Sequence, residues 1–108
     1  MKTTPNKRIV IVEDDPIIRN AFVTLIQQNG EYLVANAYDN AEAAIKNIHL
    51  DKPNVCLMDI ELPGMNGIEA IPKIKSIMPE TQVVVMTVYE NDELVFKALC
   101  EGASCYLT

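Results

Sequence analysis

The sequence has no long apolar segment, few basic residues and too few cysteines for a disulfide framework. No apolar run approaches the roughly 18 residues of a membrane-spanning helix, so we expect no membrane contact. Lys and Arg number 9 against 15 Asp and Glu, a net charge of −6, which argues against direct binding of nucleic acid. The three cysteines lack CxxC spacing, which argues against a zinc site. We expect free, buried thiols in a cytoplasmic domain.

Strand-like apolar runs alternate with segments of helical periodicity along the chain. Runs rich in Val and Ile predict strands at 9–12, 32–38, 55–58 and 83–86, and a fifth strand begins at Tyr106. Strand–helix alternation repeated four times favours a parallel sheet with helices on both faces. The predicted fold class is therefore α/β, a doubly wound, flavodoxin-like parallel sheet of five strands in the order 2-1-3-4-5.

Capping residues and prolines predict where the helices begin. Asp15 before a proline is typical of a helix start, and apolar residues at helical spacing in 17–26 predict one stripe on that helix. Asp39 with Glu42 three residues later is typical of a capping box for the second helix. Pro72 lies inside the third periodic segment and lacks a backbone N–H, which predicts a late start or a kink.

Polar side chains stand at the carboxyl ends of three predicted strands. Glu13 and Asp14 follow the first strand, Asp59 follows the third and Thr87 follows the fourth. The first and third strands are neighbours in the predicted order, about 4.8 Å apart, so we expect Asp14 and Asp59 to share one pocket. Carboxylates this close repel unless a cation intervenes, and a small set of oxygen ligands suits Mg²⁺. A carboxylate beside such a metal could attack phosphorus, with the Thr87 hydroxyl bonding a phosphoryl oxygen.

Each of these acidic residues also has an ordinary structural interpretation. Asp15 is expected to be a helix cap only, and Glu13 could be a solvated residue at the end of a strand. Asp59 could be a turn residue, with Gly64 and Gly67 supplying positive φ angles in the loop that follows. Spacing alone leaves both a shared site and these separate roles open.

Four segments of the sequence match one protein family in order and spacing. They are IVIVEDDPIIR near the start, MDIELPGMNGIEAI in the middle, VVVMT after it and GASCYLT at the end. Through them the chain resembles the receiver domain of bacterial two-component response regulators. The run ENDELVFKALCEGASCYL further resembles receivers of the NarL/LuxR type, which usually precede a helix-turn-helix DNA-binding domain.

The resemblance implies a phospho-accepting signalling switch and gives roles to the acidic residues. Asp59 matches the phosphoacceptor, which takes a phosphoryl group from a sensor histidine kinase. Asp14 matches the direct Mg²⁺ ligand and Glu13 the ligand that acts through water, while Glu61 stands where the family uses a backbone carbonyl. Such a domain catalyses only its own phosphorylation and dephosphorylation, so we expect no metabolic enzyme.

The resemblance also implies how the signal leaves the domain. Thr87 matches the switch hydroxyl, and Tyr106 matches the aromatic residue that changes rotamer on activation. The face of the fourth helix and fifth strand would then carry the signal by self-association. The expected output is a DNA-binding transcription regulator domain.

The sequence departs from the family at its end. The family's lysine that pairs with the phosphoryl group would follow Thr108, and Lys97 falls in the predicted fourth helix. The family's fifth helix would also follow Thr108. We therefore expect residues 1–108 to form a receiver domain truncated before the fifth helix. Impaired phosphoryl transfer and self-association through the bare sheet edge are the expected consequences.

Two functions of other classes remain as alternatives. A phosphohydrolase with an aspartyl nucleophile typically has a second acid two residues after the nucleophile, which is the offset of Glu61 from Asp59. The residues around Glu61 do not match such a motif, and we expect no turnover of a phosphate ester. A phosphate-independent interaction module is disfavoured because Glu13, Asp14, Asp59 and Thr87 occur together.

Overall fold

The structure is a computed structural model that describes residues 7–86 and the backbone of residues 105–107. Five strands and three helices are described. In chain order they are β1 (Lys7–Val12), α1 (Pro16–Asn29), β2 (Tyr32–Tyr38), α2 (Ala41–Asp51), β3 (Val55–Asp59), α3 (Gly67–Ile77), β4 (Gln82–Met86) and β5 (Cys105–Leu107).

Every strand pair in the described sheet is parallel. β1 lies between β2 and β3, and β4 follows β3, as a doubly wound α/β fold requires. The three residues of β5 pair with β4, with Val85 opposite Tyr106. The predicted parallel sheet and the order of its first four strands are confirmed. The predicted fourth helix falls outside the described residues.

The main core lies between the sheet and the helices α2 and α3. Alternate residues of β1, β3 and β4 face these helices and are fully buried: Val10, Val12, Cys56, Met58, Val83 and Val85. Ala44 and Ile48 of α2 and Ile71 and Ile74 of α3 belong to the same cluster. Burial raises the pKa of the Cys56 thiol to about 12, so this free cysteine is an unreactive core residue, as predicted.

Helix α1 packs against β2 and β1. The Asp15 carboxylate caps it by accepting hydrogen bonds from two N–H groups of the first turn, which confirms the predicted start. The predicted apolar stripe is only partly covered, because Ile17 and Leu25 are 80% and 63% exposed while Phe22 and Ile26 are half-buried. Only the side of α1 that contacts β2 and β1 is covered, and the apolar residues beside it stay in water.

Helix α2 begins one residue later than the sequence pattern predicts. Asn40 is its N-cap, and the Asn40 side chain accepts a hydrogen bond from the Ala43 N–H at 2.7 Å, so the capping role predicted for Asp39 is wrong. This start places Glu42 at the second helical position, whereas a capping box uses the third. The Glu42 carboxylate instead accepts a hydrogen bond from the Met65 N–H at 3.3 Å, in the loop after β3.

Helix α3 begins at Gly67, so the late start predicted from Pro72 is wrong. Asn66 and Glu69 form a reciprocal capping box at this start. The Asn66 side chain accepts from the Glu69 N–H at 2.9 Å, and the Glu69 side chain accepts from the Asn66 N–H at 3.4 Å. The helix continues through Pro72, because its buried isoleucines and its capped start offset the hydrogen bond that proline cannot make.

Candidate functional site

Two neighbouring strands bring three carboxylates to one point at the carboxyl edge of the sheet. Val12, the last residue of β1, is paired with Met58, so Glu13 and Asp59 follow the same paired position. Carboxylate oxygens of Glu13, Asp14 and Asp59 all lie within 4.8 Å of one another. The structure therefore brings Asp14 and Asp59 together, as the strand order predicts, and places Glu13 beside them.

The three carboxylates of this acidic cluster differ in exposure. Glu13 is buried, at 7% exposure, whereas Asp59 is half-buried and Asp14 is exposed. The acidic cluster is therefore closed to solvent at Glu13 and open to solvent at Asp14. A hydrated ion or a phosphoryl donor can reach it from the side of Asp14 and Asp59.

Hydrogen bonds hold Glu13 through its backbone and its side chain. The Glu13 N–H donates to the Tyr38 carbonyl at 3.0 Å, and the Arg19 guanidinium donates to the Glu13 carbonyl at 2.9 Å. The Glu13 carboxylate accepts from the Asp15 N–H at 3.1 Å. Tyr38 is anchored in turn, because its hydroxyl donates to the carboxylate of buried Asp51. These contacts join β1, β2 and α1 around one acidic residue.

Burial and mutual repulsion raise the pKa values of two members of the cluster. Burial raises the pKa of Glu13 to about 7 against the lowering effect of the Asp15 N–H, and contacts with Asp14 and Asp59 add to the rise. Burial also raises the pKa of Asp59, and the charges of Asp14 and Glu61 act in the same direction. The predicted repulsion between these carboxylates is therefore present. A bound cation would relieve it.

The cluster fits a hard divalent cation of the size of Mg²⁺. All three candidate ligands are carboxylate oxygens, and the exposed Asp14 leaves room for water ligands. Mg²⁺ prefers oxygen ligands, keeps several waters and is typically held by one or two carboxylates. The raised pKa of Glu13 fits such a site, because a bound cation would offset both the burial of this carboxylate and the nearby carboxylates of Asp14 and Asp59.

Glu61 touches the cluster through its backbone. Its N–H donates to Asp59 Oδ1 at 3.2 Å, which orients the Asp59 carboxylate, while its side chain is exposed. The predicted ligand role of the Glu61 carbonyl stays a prediction. The preceding residue, Ile60, donates to the Met86 carbonyl at 3.3 Å and accepts from the Gly67 N–H at 2.9 Å. The loop that follows Asp59 is thereby tied to β4 and α3.

The two glycines of this loop have different roles. Gly64 has a φ of 74°, the positive value predicted for a turn. Gly67 does not have positive φ, so that prediction is wrong. At Gly67 the backbone passes so close to the Asp59 carbonyl that a Cβ atom would collide with it. The sequence pattern did not indicate this close approach or the Arg19 contact with Glu13.

The predicted switch residues are not covered in the same detail. Thr87 lies outside the described residues, as do Lys97 and the face of the predicted fourth helix. Tyr106 is described through its backbone, which pairs with Val85 in the sheet. The predicted roles of Thr87 and Tyr106 therefore stay predictions.

The fold and the site define a doubly wound α/β domain with an acidic cluster at the carboxyl ends of its strands. Residues 9–108 match the family described as the response regulator receiver domain. The chain belongs to this family. The resemblance drawn from the sequence motifs is thereby confirmed.

The solved structures that resemble this chain include receivers of the predicted NarL and LuxR type, and the relatives are bacterial regulatory proteins. The oxygen regulatory protein NreC of Staphylococcus aureus is 36% identical over 102 residues, and the transcriptional regulatory protein LnrK of Bacillus subtilis is 34% identical over 100. Each match covers 93% of this chain but 46% of the relative, so the chain spans a little under half of their length.

Solved structures reproduce the fold closely. The signal receiver domain of the putative response regulator NarL from Mycobacterium tuberculosis is 30% identical with a TM-score of 0.89, covering 95% of this chain and 84% of that one. A two-component response regulator of the LuxR family from Aurantimonas is 31% identical with a TM-score of 0.88, covering 96% and 73%. The flavodoxin-like receiver fold is thus confirmed.

Membership of the family brings its general properties. Receiver domains of response regulators interact with sensor histidine kinases and bind Mg²⁺ at an acidic cluster. They are not classical enzymes. Within the described part of the chain, no helix is both long and apolar enough to cross a membrane.

Proposed function

We propose that this chain accepts a phosphoryl group on Asp59 from a sensor histidine kinase. Asp14, Asp59 and the Glu61 carbonyl would hold Mg²⁺ directly, and Glu13 would act through water. The observation that carries the proposal is the convergence of the carboxylates of Glu13, Asp14 and Asp59 within 4.8 Å at the carboxyl edge of the sheet. Binding groups lie at this edge in doubly wound folds.

The chemistry follows from the position of the Asp59 carboxylate. One of its oxygens attacks the phosphorus of a phosphohistidine and an O–P bond forms. The P–N bond breaks, its electron pair stays on the ring nitrogen, and the leaving imidazole takes up a proton from water. The Glu61 N–H holds Asp59 Oδ1 and so orients the attacking carboxylate. Mg²⁺, when bound, supplies positive charge against the phosphoryl oxygens.

The proposal extends to the rest of the switch and to the whole domain. Residues 1–108 act as a cytoplasmic receiver with a five-stranded sheet, and the chain turns over no metabolite. Phosphorylation of Asp59 biases the positions of Thr87 and Tyr106, and self-association through the fourth helix and fifth strand carries the signal. The NarL and LuxR relatives support a DNA-binding transcription regulator as the output.

Labelling with acetyl phosphate tests the proposal. Wild type, Asp59→Asn and the control Asp39→Asn are incubated with and without Mg²⁺ and resolved on a phosphate-affinity gel. Asp39 is an exposed aspartate outside the acidic cluster. We expect Mg²⁺-dependent label in wild type and Asp39→Asn and none in Asp59→Asn. Equal label in Asp59→Asn would contradict the proposal, as would turnover of a phosphate ester.

The family's lysine gives this assay a second arm. A chain extended past Thr108 to include that lysine and the last helix is labelled in parallel. We expect faster labelling of the extended chain, because a further cation stabilises the transferring charge. No label in either chain would favour a phosphate-independent interaction module.

A further inference from the structure

Arg19 spans the short turn that carries two of the three carboxylates of the acidic cluster. We propose that Arg19 is a positioning residue for the Mg²⁺ site, holding the turn of Glu13, Asp14 and Asp15 in the geometry that binds the ion. The inference rests on the proposed function, because it concerns the metal site assigned there. The phosphoryl chemistry proposed above does not use the Arg19 side chain, and this inference assigns it a role in metal binding.

One backbone and one side-chain hydrogen bond from Arg19 close the turn; the backbone bond is the first helical bond of α1, which any residue but proline would make at position 19, and the guanidinium bond depends on arginine. Its backbone N–H donates to the Asp15 carbonyl at 2.9 Å, and its guanidinium Nη1 donates to the Glu13 carbonyl at 2.9 Å. Asp15 in turn donates its N–H to the Glu13 carboxylate at 3.1 Å. The residues on both sides of Asp14 are therefore tied to Arg19 and to each other.

Asp14 is the member of the cluster that depends most on this support. Its side chain is exposed, so surrounding side chains do not confine it as they confine buried Glu13. The backbone of the turn sets where the Asp14 side chain begins, and so which positions its carboxylate can reach. Without the Arg19 guanidinium the Glu13 carbonyl loses its donor, and the turn can relax away from Asp59.

The charge of Arg19 predicts the opposite effect on metal binding, which makes the inference testable. The positive charge of a guanidinium repels an incoming cation, so removal of Arg19 would tighten Mg²⁺ binding if charge were its only contribution. If Arg19 positions the turn, its removal weakens Mg²⁺ binding. Loss of an outer partner of a metal ligand typically costs 10- to 100-fold in affinity.

Arg8 provides a matched control. Its guanidinium Nε donates to the Asp51 carbonyl at 2.7 Å, so it makes the same kind of bond as Arg19, and both side chains are half-buried. Arg8 lies in β1, five residues before Glu13. At roughly 3.3 Å per residue this is about 16 Å along the strand. Arg8 bonds the backbone carbonyl of Asp51, whereas Tyr38 bonds the Asp51 carboxylate, so Arg8→Ala should lower stability and leave the acidic cluster in place.

The test is a calorimetric titration of the metal-free protein with MgCl₂ at pH 8. Wild type, Arg19→Ala, Arg19→Lys and Arg8→Ala are compared after circular dichroism has shown that each is folded. We expect Arg19→Ala to bind Mg²⁺ about tenfold more weakly than wild type. Arg19→Lys keeps the positive charge and a hydrogen-bond donor, but its side chain is shorter. Its Mg²⁺ affinity should lie between those of wild type and Arg19→Ala. Arg8→Ala should match wild type.

Three outcomes would overturn the inference. Unchanged or tighter Mg²⁺ binding by Arg19→Ala would show that the guanidinium does not position the site, and equal weakening in Arg8→Ala would show a general loss of stability. If wild type itself binds no Mg²⁺, the proposed metal site fails and this inference fails with it. If Arg19→Ala does not fold, Arg19→Lys decides, because wild-type affinity in that variant would show that the guanidinium bond to the Glu13 carbonyl does not position the site.

Discussion

The backbone carbonyl of Asp59 lies well under 3.0 Å from the position that a Cβ atom would take on Gly67. Only glycine allows α3 to begin this close to the end of β3. Gly67→Ala must therefore displace either Asp59 or the first turn of α3. We expect a loss of about 1–3 kcal/mol in the free energy of unfolding, measured in urea. Labelling by acetyl phosphate should fall as well, because the Asp59 carboxylate moves with its backbone.

Gly30→Ala is the control for that substitution. Gly30 has a φ of 82°, but no atom lies within 4 Å of a Cβ built there, and it stands at the far end of α1. Its replacement should cost about 1–2 kcal/mol through the left-handed backbone alone and leave labelling intact. Wild-type stability and labelling in Gly67→Ala would rule out the close approach.

The raised pKa of Glu13 predicts that this residue contributes less stability to the metal-free protein at neutral pH than in weak acid. Below pH about 4.5 both the folded and the unfolded chain hold the Glu13 proton, and the contribution is fully present. Between pH 4.5 and about 7 only the folded chain holds it, so the free energy of unfolding falls as pH rises. The upper bound is about 3 kcal/mol, at about 1.4 kcal/mol per pH unit.

Urea unfolding of wild type and Glu13→Gln across this pH range, in metal-free buffer, checks the sign. The difference between the two proteins isolates Glu13 from other titrating groups. Wild type should lose stability relative to the variant as pH rises, and level off above pH 7. A difference that is flat, or that moves the other way, would contradict the burial of Glu13 beside Asp14 and Asp59.

Mg²⁺ should stabilise the domain more strongly at pH 8 than at pH 5.5. Protonated carboxylates do not bind metal, and the raised pKa values of Glu13 and Asp59 leave more protons on the cluster at pH 5.5. At 100 times its dissociation constant, Mg²⁺ should add about 2.7 kcal/mol at pH 8. Thermal unfolding with and without MgCl₂ measures this. Asp14→Asn should abolish the shift and Asp39→Asn should keep it; a shift that survives in Asp14→Asn would exclude this cluster.

Asp39 and Asn40 are adjacent residues that should differ in how much each stabilises the start of α2. Asn40→Ala removes the acceptor of the Ala43 N–H and should cost about 1 kcal/mol in the free energy of unfolding. Asp39→Ala should change stability by no more than about 0.5 kcal/mol, because Asp39 is an exposed residue before the cap. A larger loss in Asp39→Ala than in Asn40→Ala would reverse the assignment.

The parts of the site that follow from local pattern could be predicted from the sequence. Parallel strands end at one edge of a sheet, so the carboxylates after β1 and β3 had to meet once the strand order was assigned. Asp15 before proline predicted the start of α1 for the same local reason. At α2 the pattern failed because Asp39 and Asn40 are both good caps, and the choice between them depends on where the backbone turns.

Contacts that follow neither helical nor strand spacing left no signal in the sequence. The bond from Arg19 to the Glu13 carbonyl and the bond from Tyr38 to Asp51 join side chains to groups that no periodicity connects. The close approach of Gly67 to Asp59 depends on three-dimensional packing in the same way. The incomplete burial of α1 depends on which strands it covers.

The location of the phosphoryl group is the most direct test of the assignment of Asp59 as the phosphoacceptor. Protein treated with acetyl phosphate and Mg²⁺ is reduced with borohydride, which converts an aspartyl phosphate to homoserine, and the peptides are analysed by mass spectrometry. We expect homoserine at position 59, and only in samples that contained Mg²⁺. Reduction at another acidic residue with Asp59 intact, or at Asp59 without Mg²⁺, would contradict it.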